Sequence, residues 1–403
     1  MDARQDERAR QALHAVVKSP DARTTRRSRG AAPVRSLVVA IGKPAMLMLV
    51  AVSMLAAVAG GLLRAGVAWP GPAGSVIVAQ AGLAHAALML SGFLGTVIAI
   101  ERAVAIKRRW AFAAPFASGI ASVFMLAGHT GVAAGLGVLA ALVFVGVNAV
   151  VVTRQAAAHT ALLLVGAVAW LVGNLLFAAG QGGGATIPWW FAFLVLTIAA
   201  ERLEMTRLMR RHSSAQPSLH AILFALLVGA ALSARAPVPG GILYGAALAA
   251  LAAWLGVFDI ARRTALAHGL SRYMAVCLLG GYMWLGVAGV AWACMAIGLP
   301  ARDVALHALG LGFIVSMMMG HAPVILPAVA RIRLHFTAWF YGPLLLLHAS
   351  LVLRFGGRFA SPELRSAGAV LNAVALAFFA VTVAGAAFRS RLRHRASLPI
   401  KPG

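Results

Sequence analysis

The chain has 403 residues, 61% of them hydrophobic and 11% charged, with a formal net charge of +25 and a mean hydropathy of +0.88. A soluble globular domain carries about 25% charged residues, so this composition excludes a soluble enzyme, a nucleic-acid-binding domain and a disordered chain. The basic residues stand between long apolar runs, which is the pattern of membrane topology, and two cysteines make no disulfide framework.

Residues 1–36 are polar and Arg-rich, lack the apolar core and cleavage site of a signal peptide, and read as a disordered basic cytoplasmic tail. A bilayer core of about 30 Å takes about 20 apolar residues to cross as helix. On that basis twelve spans are expected: 37–63, 75–100, 112–128, 131–153, 160–180, 187–200, 219–234, 240–258, 273–298, 303–327, 336–353 and 366–388. Only His129 and Thr130 separate the third from the fourth, so those two form a tight hairpin; the sixth is short. Residues 389–403 make a second basic tail. The expected fold class is all-α: a polytopic membrane protein with a twelve-helix domain over 37–388 and both termini cytoplasmic.

The positive-inside rule tests that count. With the N-terminus inside, only Arg64, Arg235, Arg302, Arg354, Arg358 and Arg365 fall on the outer side, and the rest of the 35 Lys and Arg fall inside. Ile98-Ala-Ile-Glu-Arg102 closes the second span and Ile198-Ala-Ala-Glu-Arg202 closes the sixth, each before a basic loop. The tenth ends similarly, at Arg331-Ile-Arg333. Spans two, six and ten share one direction, which suggests three repeats of four helices; most twelve-helix transporters instead have two repeats of six.

Ionisable groups inside a bilayer are costly and are functional candidates by default. Among the twelve histidines, His85, His307 and His348 fall in the outer half of three spans, with His129 at an outer hairpin tip. Neutral imidazole is a common metal ligand and an axial ligand of haem. His321 follows His307 by fourteen residues, on nearly the same helix face and about 21 Å lower, so one metal cannot take both. His321-Ala-Pro323 and Pro327 are expected to break or kink that helix at its inner end. Met317 to Met319 read as core or lipid-facing residues, and Cys277 and Cys294 as separate structural thiols. Glu101 and Glu201 read as boundary ion pairs or caps, with proton entry as the functional alternative. There is no Walker motif, no zinc spacing and no nucleophile elbow.

The stretch His85-Ala-Ala-Leu-Met-Leu-Ser-Gly-Phe93, with Val97-Ile-Ala99, resembles the NnrS family, whose early helix carries a stretch of the form HAHEMLFGF...VIAGFL. His307-Ala-Leu-Gly-Leu-Gly312, with Met317 to Gly320 and then His321, resembles that family's later HAL...G...M...GH helix. Here Ala87 and Leu88 stand where the family has its second His and its Glu. The resemblance implies a twelve-helix bacterial plasma-membrane protein linked to nitric oxide tolerance. Such a protein is distantly like the haem–copper oxidase catalytic subunit, which carries haem ligands on helices two and ten. It implies His85 and His307 as axial ligands of a haem, b-type by expectation. His348 and His321 are then a second ligand set, or line a proton or substrate path. Copper is the weaker expectation, because the sixth span has no histidine. The implied partners are the bilayer and a small redox ligand such as nitric oxide, with no nucleic acid. Two other readings stay open: a cofactor-free proton-coupled secondary transporter, with His321 or His85 as coupling group, and a structural or assembly protein.

Overall fold

The computed structural model describes residues 32–68, 75–205, 213–330 and 334–396. Its contacts divide the chain into two units, Met1–Ala45 and Met46–Gly403. In the first, the described residues are helical. The second holds the helical bundle.

The described residues contain no strand, and twelve of their helices are long and apolar enough to cross a membrane. These are α1 (Pro44–Arg64), α2 (Ala87–Ile106), α3 (Arg109–Leu126), α4 (Thr130–Arg154), α5 (Ala158–Ala178), α6 (Gly183–Met205), α7 (Ala215–Leu232), α8 (Pro237–Phe258), α9 (Gly269–Ala296), α10 (Arg302–Pro327), α11 (Ala338–Gly357) and α12 (Pro362–Ser390). The protein is an all-α polytopic membrane protein. Every expected span has its helix. The α3–α4 hairpin turns over three residues, with Gly128 at φ +83°, a conformation that costs glycine little.

Three expectations are corrected. The helix carrying α1 begins at Ala32 and the one carrying α12 runs on to Ala396. Residues 32–36, expected in a disordered tail, are therefore helical, and helix also continues into the basic tail over 389–396, because a helix satisfies its own backbone and need not stop at the hydrocarbon edge. The rest of both tails, 1–31 and 397–403, lies outside the described residues. The sixth span is a full 23 residues; its apolar signal was cut short by Glu201 and Arg202, which the fold neutralises with partners. The expected break at His321 is absent, since the helix runs through Pro323 and Pro327 to Ala330. Pro323 has no N–H for the Met319 carbonyl four residues back, and the Tyr273 hydroxyl donates to that carbonyl at 3.3 Å instead.

Helices adjacent in sequence pack as neighbours: α3 on α4, α4 on α5, α5 on α6, α7 on α8, α8 on α9 and α11 on α12. At the α8–α9 crossing, a Cβ on Gly245 would lie 2.5 Å from the Gly289 carbonyl oxygen, so the backbones touch, as small residues permit in membranes. α6 is the most enclosed helix, with 78% of its apolar window buried against 22% for α1. Around it the Trp170 and Phe193 rings stack at 5.1 Å. Asn174 Oδ1 accepts from Ser91 and from Trp190 Nε1, so these interior polar groups satisfy one another. Leu47, Leu55, Phe224, Val257 and Val381 point outward, where lipid replaces water as the solvent of apolar side chains.

Candidate functional site

α2 and α10 share an irregularity that no other described spanning helix has. Each passes into a π-helical stretch, Ala87–Gly95 in α2 and Ala308–Val315 in α10. π-Helical turns concentrate at functional sites. His85 stands two residues before the first stretch and His307 immediately before the second. The two rings face one cavity, with centroids 6.3 Å apart and planes 19° from parallel.

The cavity has a volume of about 520 Å³ and lies among α1, α2, α6, α10 and α12, with single contributions from α11 and the end of α5. Its walls are apolar, including Met89, Phe177, Trp190, Phe191, Leu306 and Leu376. Arg64, Arg302, Arg354 and Arg365 line it, with Asp303 and Asn372. These are four of the six basic residues that the positive-inside count leaves on the outer side. Four guanidiniums against one carboxylate make the cavity a place for a ligand with anionic groups.

The hydrogen bonds fix which nitrogen of each imidazole carries the lone pair. His85 Nδ1 lies 2.7 Å from the Ala57 carbonyl oxygen. A carbonyl only accepts, so Nδ1 holds the proton and Nε2 is free to ligate. His307 Nδ1 donates to Asp303, to its carbonyl at 3.0 Å and its carboxylate at 3.1 Å. His307 Nε2 then accepts from Arg354 Nη2 at 3.2 Å. Arg354, 6% exposed, is held independently of that contact: it bonds both Asp303 oxygens at 2.7 and 3.0 Å and reaches Asn372 Oδ1 at 3.4 Å. Gly61 backs the other histidine, since a Cβ there would lie 2.9 Å from His85 Cε1.

The other two candidates stand apart. His348 Nδ1 accepts from Trp284 Nε1 at 2.6 Å, so its proton is on Nε2 and neither nitrogen offers a lone pair. It is not among the cavity's lining residues. His321 lies farther along α10, with Nδ1 donating to the Met317 carbonyl at 2.7 Å. His129 precedes α4 at the hairpin tip and its side chain makes no capping hydrogen bond there. Met317 and Met319 are core residues, and Cys277 and Cys294 are free thiols. Asp303, Arg354 and Asn372 were not singled out from sequence. The signal that could have found them is their charge or polarity within or beside apolar spans on the arginine-poor side.

Fold and site together define a polytopic membrane protein with a histidine-paired, arginine-lined cavity between its second and tenth helices. The chain matches, over residues 43–388, the family described as a domain of unknown function (DUF8744), and it belongs to that family. No curated protein and no solved structure matches it.

Proposed function

We propose that this chain is a membrane haem protein of the NnrS-like kind, in which His85 and His307 hold a b-type haem from its two faces. The observation that carries the reading is the pair of nearly parallel imidazoles 6.3 Å apart, each with its lone pair on Nε2. Two imidazoles sharing one metal atom at about 2 Å each have ring centroids roughly 6 Å apart. A haem brings four nitrogens of its own, so two protein ligands complete it. A bare ion such as copper takes more ligands from the protein, and no group of three His, Cys, Asp or Glu suited to a metal ion occurs among the described residues. The apolar walls suit a flat macrocycle, and the arginines suit its two carboxylates.

Haem held there would supply one-electron exchange and binding of a small redox ligand such as nitric oxide. The chain's own part is to hold the two imidazoles unequally. His307 is fixed by Asp303 through two contacts, whereas His85 has the single bond to Ala57. His85 would therefore be the less firmly held of the two residues that would hold the haem. Arg354 must release His307 Nε2 for ligation, and its bonds to Asp303 and Asn372 let it do so without losing its place. The reading puts the cavity toward the outer face of a bacterial plasma membrane, with both termini in the cytoplasm.

The test is the optical spectrum of the detergent-purified full chain, oxidised and then reduced, from cells supplied with haem. A Soret band and sharp reduced bands that disappear in both His85→Ala and His307→Ala are expected. A flat spectrum would overturn the reading and favour the proton-coupled transporter, whose acidic substrate the same arginines would bind.

A further inference from the structure

At the other end of α10, about 21 Å from His307 by helical rise, polar side chains from five elements meet inside the bundle. Arg102 of α2 bonds Glu201 of α6 at 3.0 Å and lies 3.7 Å from Glu101. Arg202 of α6 is 3.9 Å from Asp259 at the end of α8, and both are buried, 3% and 6% exposed. Tyr282 of α9 lies against the two of them. His321 of α10 is 8% exposed, and the charges acting on its ring are those of Arg202, Glu101 and Asp259. At the rim, His159 of α5 faces Glu204 at 3.8 Å.

Within this cluster His321 Nε2, Asp259 Oδ2 and Arg102 Nε are buried without a hydrogen-bond partner among the described residues. Such atoms are rare in folded proteins and mark bound water or ions. The set contains two acceptors and a donor. A metal cation is repelled by Arg102 and Arg202, and an anion by Glu101, Glu201 and Asp259. Water, which donates and accepts, suits all three atoms. Glu101 keeps 26% of its side chain exposed and lies 3.7 Å from Arg102.

We propose that the ends of α2, α6, α8, α9 and α10 enclose a hydrated proton-binding site, in which His321 Nε2 takes up a proton delivered through Glu101 from the basic-loop side of the membrane. The proton passes from bulk water to the Glu101 carboxylate and on through enclosed water to the Nε2 lone pair. This forms an imidazolium whose charge Glu101, once deprotonated again, and Asp259 offset. The charged groups acting on His321 are Glu101, Arg202 and Asp259, and the titratable groups packed on its turn of α10 from α9 are Tyr273, which donates to the Met319 carbonyl, and Cys277, beside Gly320. The site is independent of the haem reading and does not fall with it.

Two measurements on the full chain in lipid nanodiscs test it. In hydroxyl-radical footprinting, His321 and Tyr282, 8% and 5% exposed, should be oxidised about tenfold faster than the fully enclosed Tyr244, a larger gap than that small difference in exposure accounts for, because enclosed water lies beside them. Equal protection of all three would overturn the hydrated site. In nitrogen NMR of labelled histidines, with His321 assigned by its loss in His321→Gln, the ring should become doubly protonated as pH is lowered. A ring that stays neutral over the whole range in which the chain remains folded would overturn proton uptake. If His321→Gln does not fold, His321→Asn supplies the assignment.

Discussion

A Cβ added at Gly61 would press on the His85 ring at 2.9 Å, so Gly61→Ala is expected to displace the imidazole from the cavity. Overpacking of this kind costs about 1–3 kcal/mol, and the chain should still fold. Haem content measured after purification should fall severalfold, whereas a Gly286→Ala control, whose Cβ meets only Ala252 at 3.7 Å, should be silent. Asp303 offers a second test. Removing one partner of a buried ion pair strands the other at a cost of about 3–5 kcal/mol, so Asp303→Ala should lower the thermal midpoint in detergent markedly. Replacing Arg354 by Met in the same chain should restore much of the loss, because the buried guanidinium is then gone and only Arg365, 3.8 Å from Asp303 and 36% exposed, loses its partner. Equal destabilisation in the single and double variants would show that the pair contributes little of that cost.

At the scale of elements, α2 and α10 are ordinary in composition and unusual in winding. A π-helical turn holds an extra residue in an otherwise α-helical segment. Deleting Met89 should therefore let α2 wind as regular helix with His85 left in register, because one residue fewer offsets the turn that the π stretch had widened. The prediction is a folded protein, by circular dichroism and gel filtration, that keeps its haem bands; a folded protein that has lost them would show that the π stretch itself shapes the site. Tyr273→Phe removes the hydroxyl that serves the carbonyl freed by Pro323, at an expected cost of about 1 kcal/mol, visible as a small drop in thermal midpoint.

The helices were legible from hydropathy because each span must satisfy its own backbone in lipid and so announces itself by length. The site was legible in part. His85 and His307 stood out as ionisable groups inside spans, but their depth did not say which helices face each other. That is why His348, at a similar depth, was grouped with them although Trp284 engages it. The π stretches were illegible, since an added residue leaves no mark in composition. Arg64, Arg302, Arg354 and Arg365 stand out in the sequence only as exceptions to the charge rule, and the fold is what brings them to one cavity.

Over the whole molecule, opposite needs are met at opposite ends of the same two helices. α10, and α2 with the two residues before it, carry the histidine pair at one end and His321 and Glu101 at the other, where the Arg102–Glu201 bond ties α2 to α6. The charge asymmetry predicts that reporter fusions at both termini read as cytoplasmic, and an external signal at either would contradict the proposed topology. The central claim, two imidazoles on one haem, is tested most directly by the electron paramagnetic resonance spectrum of the oxidised full chain. A low-spin signal in the wild type, converted to high spin or lost in His85→Ala and in His307→Ala alike, is the predicted result. A wild-type signal that is high-spin from the start, or a low-spin signal that survives either substitution, would contradict it.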